Sequence, residues 1–378
     1  MFSNPVIYFI PSIILAIIYI YLIYNFYSGW KDTPETVLPH DYEPTLKISV
    51  IVAARNEEEM IGKNLRSILN NNYPADLFQV ILVNDHSEDQ TGLIARRIDD
   101  KRLLVLDQKE GKSGKKQALD FAIRQCTGEL IITTDADCSM HKKWIRNIAY
   151  AYELYDYNIA TSTVVFEEGR NLVENYQVLD MSGMMAVTAN GIFKNNYYLA
   201  NGANLSFLKS SFLAVDGYSG NEKLASGDDM FLIQKMANEN YNIGFIKSKE
   251  SIVTTAPEKN MSDLLVQRKR WATKSKAYND SGLKWILVLI FLFQLSILAN
   301  IFLSFLIDGT LIFIALLQLF IKMVMDYMFL YSMATYFDRN ESMKSFFGAS
   351  FISIFIVLYS GFVSLIPGTY QWKGRKVK

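Results

Sequence analysis

The residues able to do chemistry fall in a few short clusters. The first is Ile131-Ile132-Thr133-Thr134-Asp135-Ala136-Asp137. An apolar, β-branched run ends here in two carboxylates, which predicts a buried strand with both acids at its end. Asp135 and Asp137 can share one divalent cation, and Mg2+ and Mn2+ prefer carboxylate and phosphate oxygens. Such a cation would neutralise a diphosphate and stabilise the charge growing on it as it leaves. Paired Asp at this spacing also occur on ordinary surfaces; the strand before them favours the metal.

A second cluster is Asp228-Asp229, after Gly227. Asp229 is the candidate general base, with Asp228 orienting it or raising its pKa. The plainer alternative is two acids in the first turn of a helix. Asp85 closes the apolar run Phe78–Val83. It can accept hydrogen bonds from a nucleobase or ribose, or cap the next helix, a task open equally to Asp89. Arg55 and Glu57 follow another apolar run, as nucleotide contacts or as a simple salt bridge. Gly111-Lys112-Ser113-Gly114-Lys115-Lys116 lacks the spacing of an ATPase phosphate loop. Its amides and Lys115 can still meet a diphosphate, unless the segment is only a solvated turn. Gln267, Arg270 and Trp271 share one helical turn, where Arg suits phosphate and the indole suits a sugar ring or acceptor. The alternative is an interfacial helix meeting lipid.

These residues need a frame, and the periodicity supplies one. Strand-like runs at 47–54, 78–83, 103–106, 130–134, 159–166 and 243–246 alternate with helical ones at 61–69, 95–98, 116–125, 144–155 and 231–236. That order predicts an α/β fold with a mostly parallel central sheet. Ligands of such sheets bind beyond the carboxyl ends of the strands, where Arg55, Asp85, Asp135 and Asp137 all fall. The methionine-containing segment 173–188 has helical spacing and reads more simply as core than as an acceptor face.

The chain has 378 residues, 50% of them hydrophobic, with formal net charge zero. No global positive field exists to attract nucleic acid. Cys126 and Cys138 do not suggest a disulfide scaffold. His40, His86 and His141 are too few for a His-rich zinc site. The apolar excess lies at the two ends. Residues 6–27 read as a retained transmembrane helix rather than a signal peptide, because no positive region precedes them and Tyr24-Asn25-Phe26-Tyr27 is a poor cleavage site. Lys31 places the following domain in the cytoplasm. A linker with Pro34, Pro39 and Pro44 covers 28–45, a catalytic domain 46–262, and a basic amphipathic interface helix 263–282. About three transmembrane helices occupy 283–367, with Lys322 and Asp326 spaced to pair within one of them. Residues 368–378 form a basic tail, whose charge looks cytoplasmic while the span count puts it outside. A transporter is disfavoured by the long α/β region and the absence of repeated spans.

Taken together, the clusters resemble the family 2 inverting glycosyltransferases of GT-A fold, in particular the membrane-integrated members. These include ceramide and carotenoid glucosyltransferases and the hyaluronan, cellulose and poly-N-acetylglucosamine synthases. Ala53-Ala54-Arg55-Asn56-Glu57-Glu58 looks like the family's first nucleotide motif, and Asn84-Asp85 like its uridine-binding Asp. Gly111 to Lys115 is similar to its Lys-Gly-Gly-Lys region. Asp135-Ala136-Asp137 stands as its Asp-x-Asp, whose last Asp ligates the metal. Gly227-Asp228-Asp229 stands where the family has Glu-Asp, and Gln267-Arg268-Lys269-Arg270-Trp271 fits Gln-x-x-Arg-Trp. The departure is Asp228 for the usual Glu. The resemblance implies Mg2+ or Mn2+, a UDP-sugar donor, and substrate binding by Ala53, Arg55, Glu57, Asp85, Lys115, Asp135, Gln267, Arg270 and Trp271. It also implies an integral protein of the cell inner or plasma membrane with a cytoplasmic catalytic domain. The acceptor is expected to be a membrane lipid; the alternative is a growing glycan, as in processive polysaccharide synthases.

Overall fold

The computed structural model describes residues 6–220, 227–273, 280–365, 370–372 and 375–377. In chain order the elements begin with α1 (Val6–Asp32), β1 (Ile48–Ala54), α2 (Ile61–Leu69), β2 (Phe78–Asn84), α3 (Thr91–Arg96), β3 (Leu103–Asp107) and α4 (Lys115–Gln125). There follow β4 (Leu130–Asp135), β5 (Ser139–Met140), α5 (Trp144–Tyr155), β6 (Ile159–Ser162), β7 (Val164–Phe166) and α6 (Leu172–Phe193). Next come β8 (Leu205–Leu208), α7 (Lys209–Ala214), α8 (Asp228–Asn238), β9 (Ile243–Ile246), β10 (Val253–Thr255) and α9 (Met261–Ala272). The chain continues with α10 (Ser281–Leu306), α11 (Leu311–Tyr336), α12 (Phe346–Leu365), β11 (Tyr370–Trp372) and β12 (Arg375–Val377).

An α/β unit is built mainly from Thr33–Glu167 and Gly191–Ala256. Its central sheet has seven strands in the order β3-β2-β1-β4-β8-β6-β9. β3, β2, β1 and β4 run parallel, with Ala53 opposite both Val83 and Asp135. Val50, Ile51 and Val52 are fully buried, as are Val80 to Val83 and Leu130 to Ile132. Strands covered on both faces need continuous apolar runs, and each such side chain contributes about 1.5–3 kcal/mol by leaving water. α2 buries Ile61, Leu65, Ile68 and Leu69, the face its spacing predicts. β8 has no counterpart among the strand-like runs of the sequence: it enters antiparallel between β4 and β6. A smaller sheet, β5-β10-β7, carries Thr255.

A helical unit is built from α1, Glu168–Asn190 and the chain from Pro257 through α12. Among the described residues, four of its helices are long and apolar enough to cross a membrane: Phe9–Asp32, Ser281–Leu306, Leu311–Tyr336 and Asn340–Leu365. They expose large apolar groups such as Phe305, Phe313, Phe320 and Phe347 and bury polar ones. Asn300 donates to Ser12 Oγ and Gln318 Oε1, both at 2.9 Å. Lys322 and Asp326 do pair, at 2.5 Å, and Tyr19 and Ser353 add hydrogen bonds of 2.5 and 2.9 Å. In lipid such groups must be satisfied inside the bundle.

Several boundaries differ from expectation. α1 runs to Asp32, so the first part of the expected linker is helical. α6 extends past 188 to Phe193 and buries Val178, Leu179, Met185, Ala186 and Ala189, which makes its methionine face core. Of the expected interface helix, α9 covers the first part and residues 274–279 lie outside the described residues. β11 and β12 pair antiparallel within the expected tail, whose positions 368, 369, 373, 374 and 378 are also outside them.

Candidate active site

At the carboxyl end of β4, Asp135 and Asp137 stand on a turn held from below. Asn64, buried on α2, donates to Asp135 O at 3.0 Å and Cys138 O at 2.8 Å. The Thr255 hydroxyl lies 3.3 Å from Asp137 Oδ2. Burial, together with Asp137 and Asp135, pushes the Cys138 thiol well above its ordinary pKa. It therefore stays protonated, and is not a thiolate nucleophile. Both cysteines are free and buried.

Asp85, at the end of β2, is only 3% exposed. Its Oδ2 accepts the Gly114 N–H at 2.9 Å. Gly114 precedes α4 with φ +104°, which an L side chain rarely adopts. The basic Gly-rich segment is thus folded onto Asp85 and is not a free turn. Asp89, not Asp85, meets the start of α3: its Oδ1 accepts the Thr91 N–H at 2.9 Å. Arg55 donates to Asp85 O at 3.1 Å and pairs with Glu88 at 3.2 Å. The Glu57 N–H goes to Thr91 Oγ1 at 2.7 Å. These contacts tie the loop after β1 to the loop after β2.

Lys115 opens α4 and brings the clusters together. Its Nζ lies 2.5 Å from Asp135 Oδ1. Burial opposes the lysine charge, but Asp135, Asp228 and Asp229 outweigh it and hold the ammonium above its ordinary pKa. Asp229 is gripped from two sides. The Gly202 N–H donates to Oδ2 and the Met230 N–H to Oδ1, both at 2.8 Å. Gly202 sits in the loop before β8, which Asn204 anchors by donating to Thr163 O and Ser251 O at 2.8 Å and accepting from Trp144 Nε1 at 3.0 Å. Asp228 is 5% exposed. Burial, with Asp228 and Asp229 beside it, holds Tyr218 well above its ordinary pKa, so it stays a neutral phenol.

The α/β unit thus gathers Arg55, Asp85 and Asp135, which follow or end strands, with Lys115 and Asp229, which lie in the first turns of α4 and α8. Sequence reasoning missed Asn64, Gly202 and Asn204. Asn64 had a signal, a polar residue on the apolar face of α2; Gly202 acts through its backbone and had none.

Gln267, Arg270 and Trp271 belong to the helical unit. Gln267 donates to Glu258 Oε1 at 3.1 Å. The buried basic residue of this helix is Arg268, paired with Asp180 at 2.7 Å and stacked 4.6 Å from the Trp271 ring centroid. Arg270 is half-buried.

Asp135 and Asp137 fit a small oxygen-seeking cation. Among the described residues no group of three or more His, Cys, Asp or Glu could hold a metal by itself. Two carboxylates completed by water and substrate phosphates is the usual Mg2+ arrangement.

Residues 49–213 match the model of Glycosyl transferase family 2. The chain carries a family 2 glycosyltransferase domain. It is 29% identical over 140 residues to a probable glycosyltransferase of Bacillus subtilis, covering 34% of this chain and 33% of that protein. It is 26% identical over 256 residues to a beta-monoglucosyldiacylglycerol synthase of Synechocystis, covering 64% and 51%. The matches thus span about half or less of these relatives' length. A mannosyltransferase from Pyrobaculum calidifontis, solved with GDP-Man and Mn2+, superposes with TM-score 0.55 at 17% identity, covering 93% of this chain and 97% of that one. The likeness establishes the GT-A fold of the sheet and its helices.

Proposed function

We propose that the protein is an inverting, metal-dependent glycosyltransferase that moves a sugar from a UDP-sugar to a membrane lipid at the cytoplasmic face. The observation that carries this reading is the convergence of Asp85, Lys115, Asp135 and Asp229 on one strand-end edge of a family 2 domain. The glucosyldiacylglycerol in the name of the Synechocystis relative and the four apolar helices favour a lipid acceptor.

In this reading Asp85 and the loop around Ala53, Arg55 and Glu57 bind the nucleoside. Lys115 meets the diphosphate. Asp135 and Asp137 would hold Mg2+ or Mn2+, which when bound neutralises the leaving diphosphate. Asp229 takes the proton of the acceptor hydroxyl as that oxygen bonds to the sugar C1. The C1–diphosphate bond breaks on the opposite face, its electron pair leaves with the diphosphate, and configuration inverts. The amides of Gly202 and Met230 hold the carboxylate still for this task. Gln267, Arg270 and Trp271 are assigned to donor or acceptor binding on the motif alone.

The test is incubation of membranes holding the full chain with labelled UDP-glucose and UDP-N-acetylglucosamine, followed by extraction and sizing. A low-mass, organic-soluble product is expected. A long water-soluble or insoluble chain would replace the lipid reading with polymer synthesis, and no product from any nucleotide sugar would sink the enzyme reading.

A further inference from the structure

Asp135 has been assigned to a metal, yet in this structure it is held by a lysine. The contact is well built. Lys115 sits on the first turn of α4, directly after Gly114, whose amide is fixed on Asp85. Its ammonium reaches Asp135 Oδ1 at 2.5 Å with the side chain 21% exposed. Room for it depends on Gly202: a Cβ there would stand 3.1 Å from Lys115 Nζ and 3.5 Å from Asp229 Oδ2. The charges of Asp228 and Asp229 act on the same ammonium.

We propose that Lys115 is a tethered counter-cation, which occupies Asp135 in the donor-free protein and keeps a divalent ion off that carboxylate until a nucleotide diphosphate arrives. The inference rests on reading Asp135 and Asp137 as metal carboxylates. A free ion must displace a cation that the chain keeps permanently at hand, and a tethered competitor acts at high effective concentration. The protein offers that ion few ligands of its own among the described residues. A diphosphate changes both sides of the exchange. Its oxygens complete the metal's shell and also give the displaced ammonium a new partner. Metal and nucleotide binding are then coupled, and by linkage each strengthens the other equally. The placement of Lys115 beside Gly114 joins this exchange to Asp85, the proposed nucleoside contact.

The test measures Mn2+ binding to the purified full chain by electron paramagnetic resonance, with and without UDP. Lys115→Met should bind Mn2+ about tenfold more tightly than the unaltered protein in the absence of UDP, while binding UDP more weakly. Lys115→Arg, which keeps the charge, should stay weak for Mn2+ alone. A merely structural lysine would not move the two affinities in opposite directions. If Lys115→Met folds poorly, Gly202→Ala serves instead: its Cβ crowds the ammonium and should tighten Mn2+ in the same direction by a smaller factor. Unchanged or weaker Mn2+ binding in the variant overturns the proposal. Asp137→Ala separates this from failure of the underlying reading. If UDP-supported Mn2+ binding is absent from the unaltered protein, or survives Asp137→Ala, the metal site itself is wrong; if it is present and lost there, only the role of Lys115 is at stake.

Discussion

A close Lys–Asp pair stands in each unit among the described residues, and these two pairs differ in a telling way. Lys115–Asp135 and Lys322–Asp326 have the same separation, 2.5 Å. In the α/β unit the side chains are 21% and 40% exposed; in the helical unit they are 1% and 12% exposed. The first pair stands at a strand-end edge among further acids, where water and ligand can replace either partner. The second is sealed, with Tyr19 and Ser353 closing its remaining hydrogen bonds. Distance alone therefore does not distinguish a site from a strut. Access to a replacement partner does, and an ion pair that can be exchanged is one that can bind something.

The sharpest way to break the comparison is to remove both lysines in turn. Lys322→Ala leaves Asp326 buried without its cation and is expected to destabilise the helical unit by about 3–5 kcal/mol. Heat-induced aggregation in detergent would read this, and Lys322→Met with Asp326→Leu should recover most of it. Asp137→Ala comes next: sugar turnover should fall on the order of 100-fold, and chelation of divalent ions should reproduce the loss. Lys115→Met should cost less than about 1 kcal/mol in stability, because its pair is partly exposed, yet weaken UDP about tenfold. If instead it unfolds the protein as Lys322→Ala does, the two pairs are equivalent and the distinction fails. The smallest effect on function is expected from Asn64→Ala. Losing the two hydrogen bonds that hold the Asp135–Cys138 turn should lower turnover several-fold and stability by about 1–3 kcal/mol, seen as a lower melting temperature.

The residues legible in sequence were those that act by side chain at the end of a buried strand. Asp85, Asp135 and Arg55 follow runs that are mostly apolar or β-branched, as strands covered on both faces tend to be. The residues that could not be read act through backbone or through long-range partners. β8 is four residues behind a polar loop, and its antiparallel entry depends on β4 and β6. Gly202 contributes a backbone N–H, which every residue type but proline has. Arg55 finds Glu88 across 33 positions, a partner that no local spacing announces. In α9 motif spacing marks Gln267, Arg270 and Trp271, while the ion pair falls on Arg268 because Asp180 of α6 faces it. The Lys322–Asp326 pair was legible, since four residues make one helical turn.

The central claim is a division of labour, in which Asp137 serves the donor's diphosphate and Asp229 takes the acceptor proton. It is tested most directly by measuring, in one preparation, UDP-sugar affinity and sugar turnover for Asp229→Asn. The account predicts donor affinity within about twofold of the unaltered protein and turnover reduced by about 10²–10⁴-fold, the usual worth of a general base. Turnover that survives the substitution, or donor binding that disappears with it, would contradict the assignment.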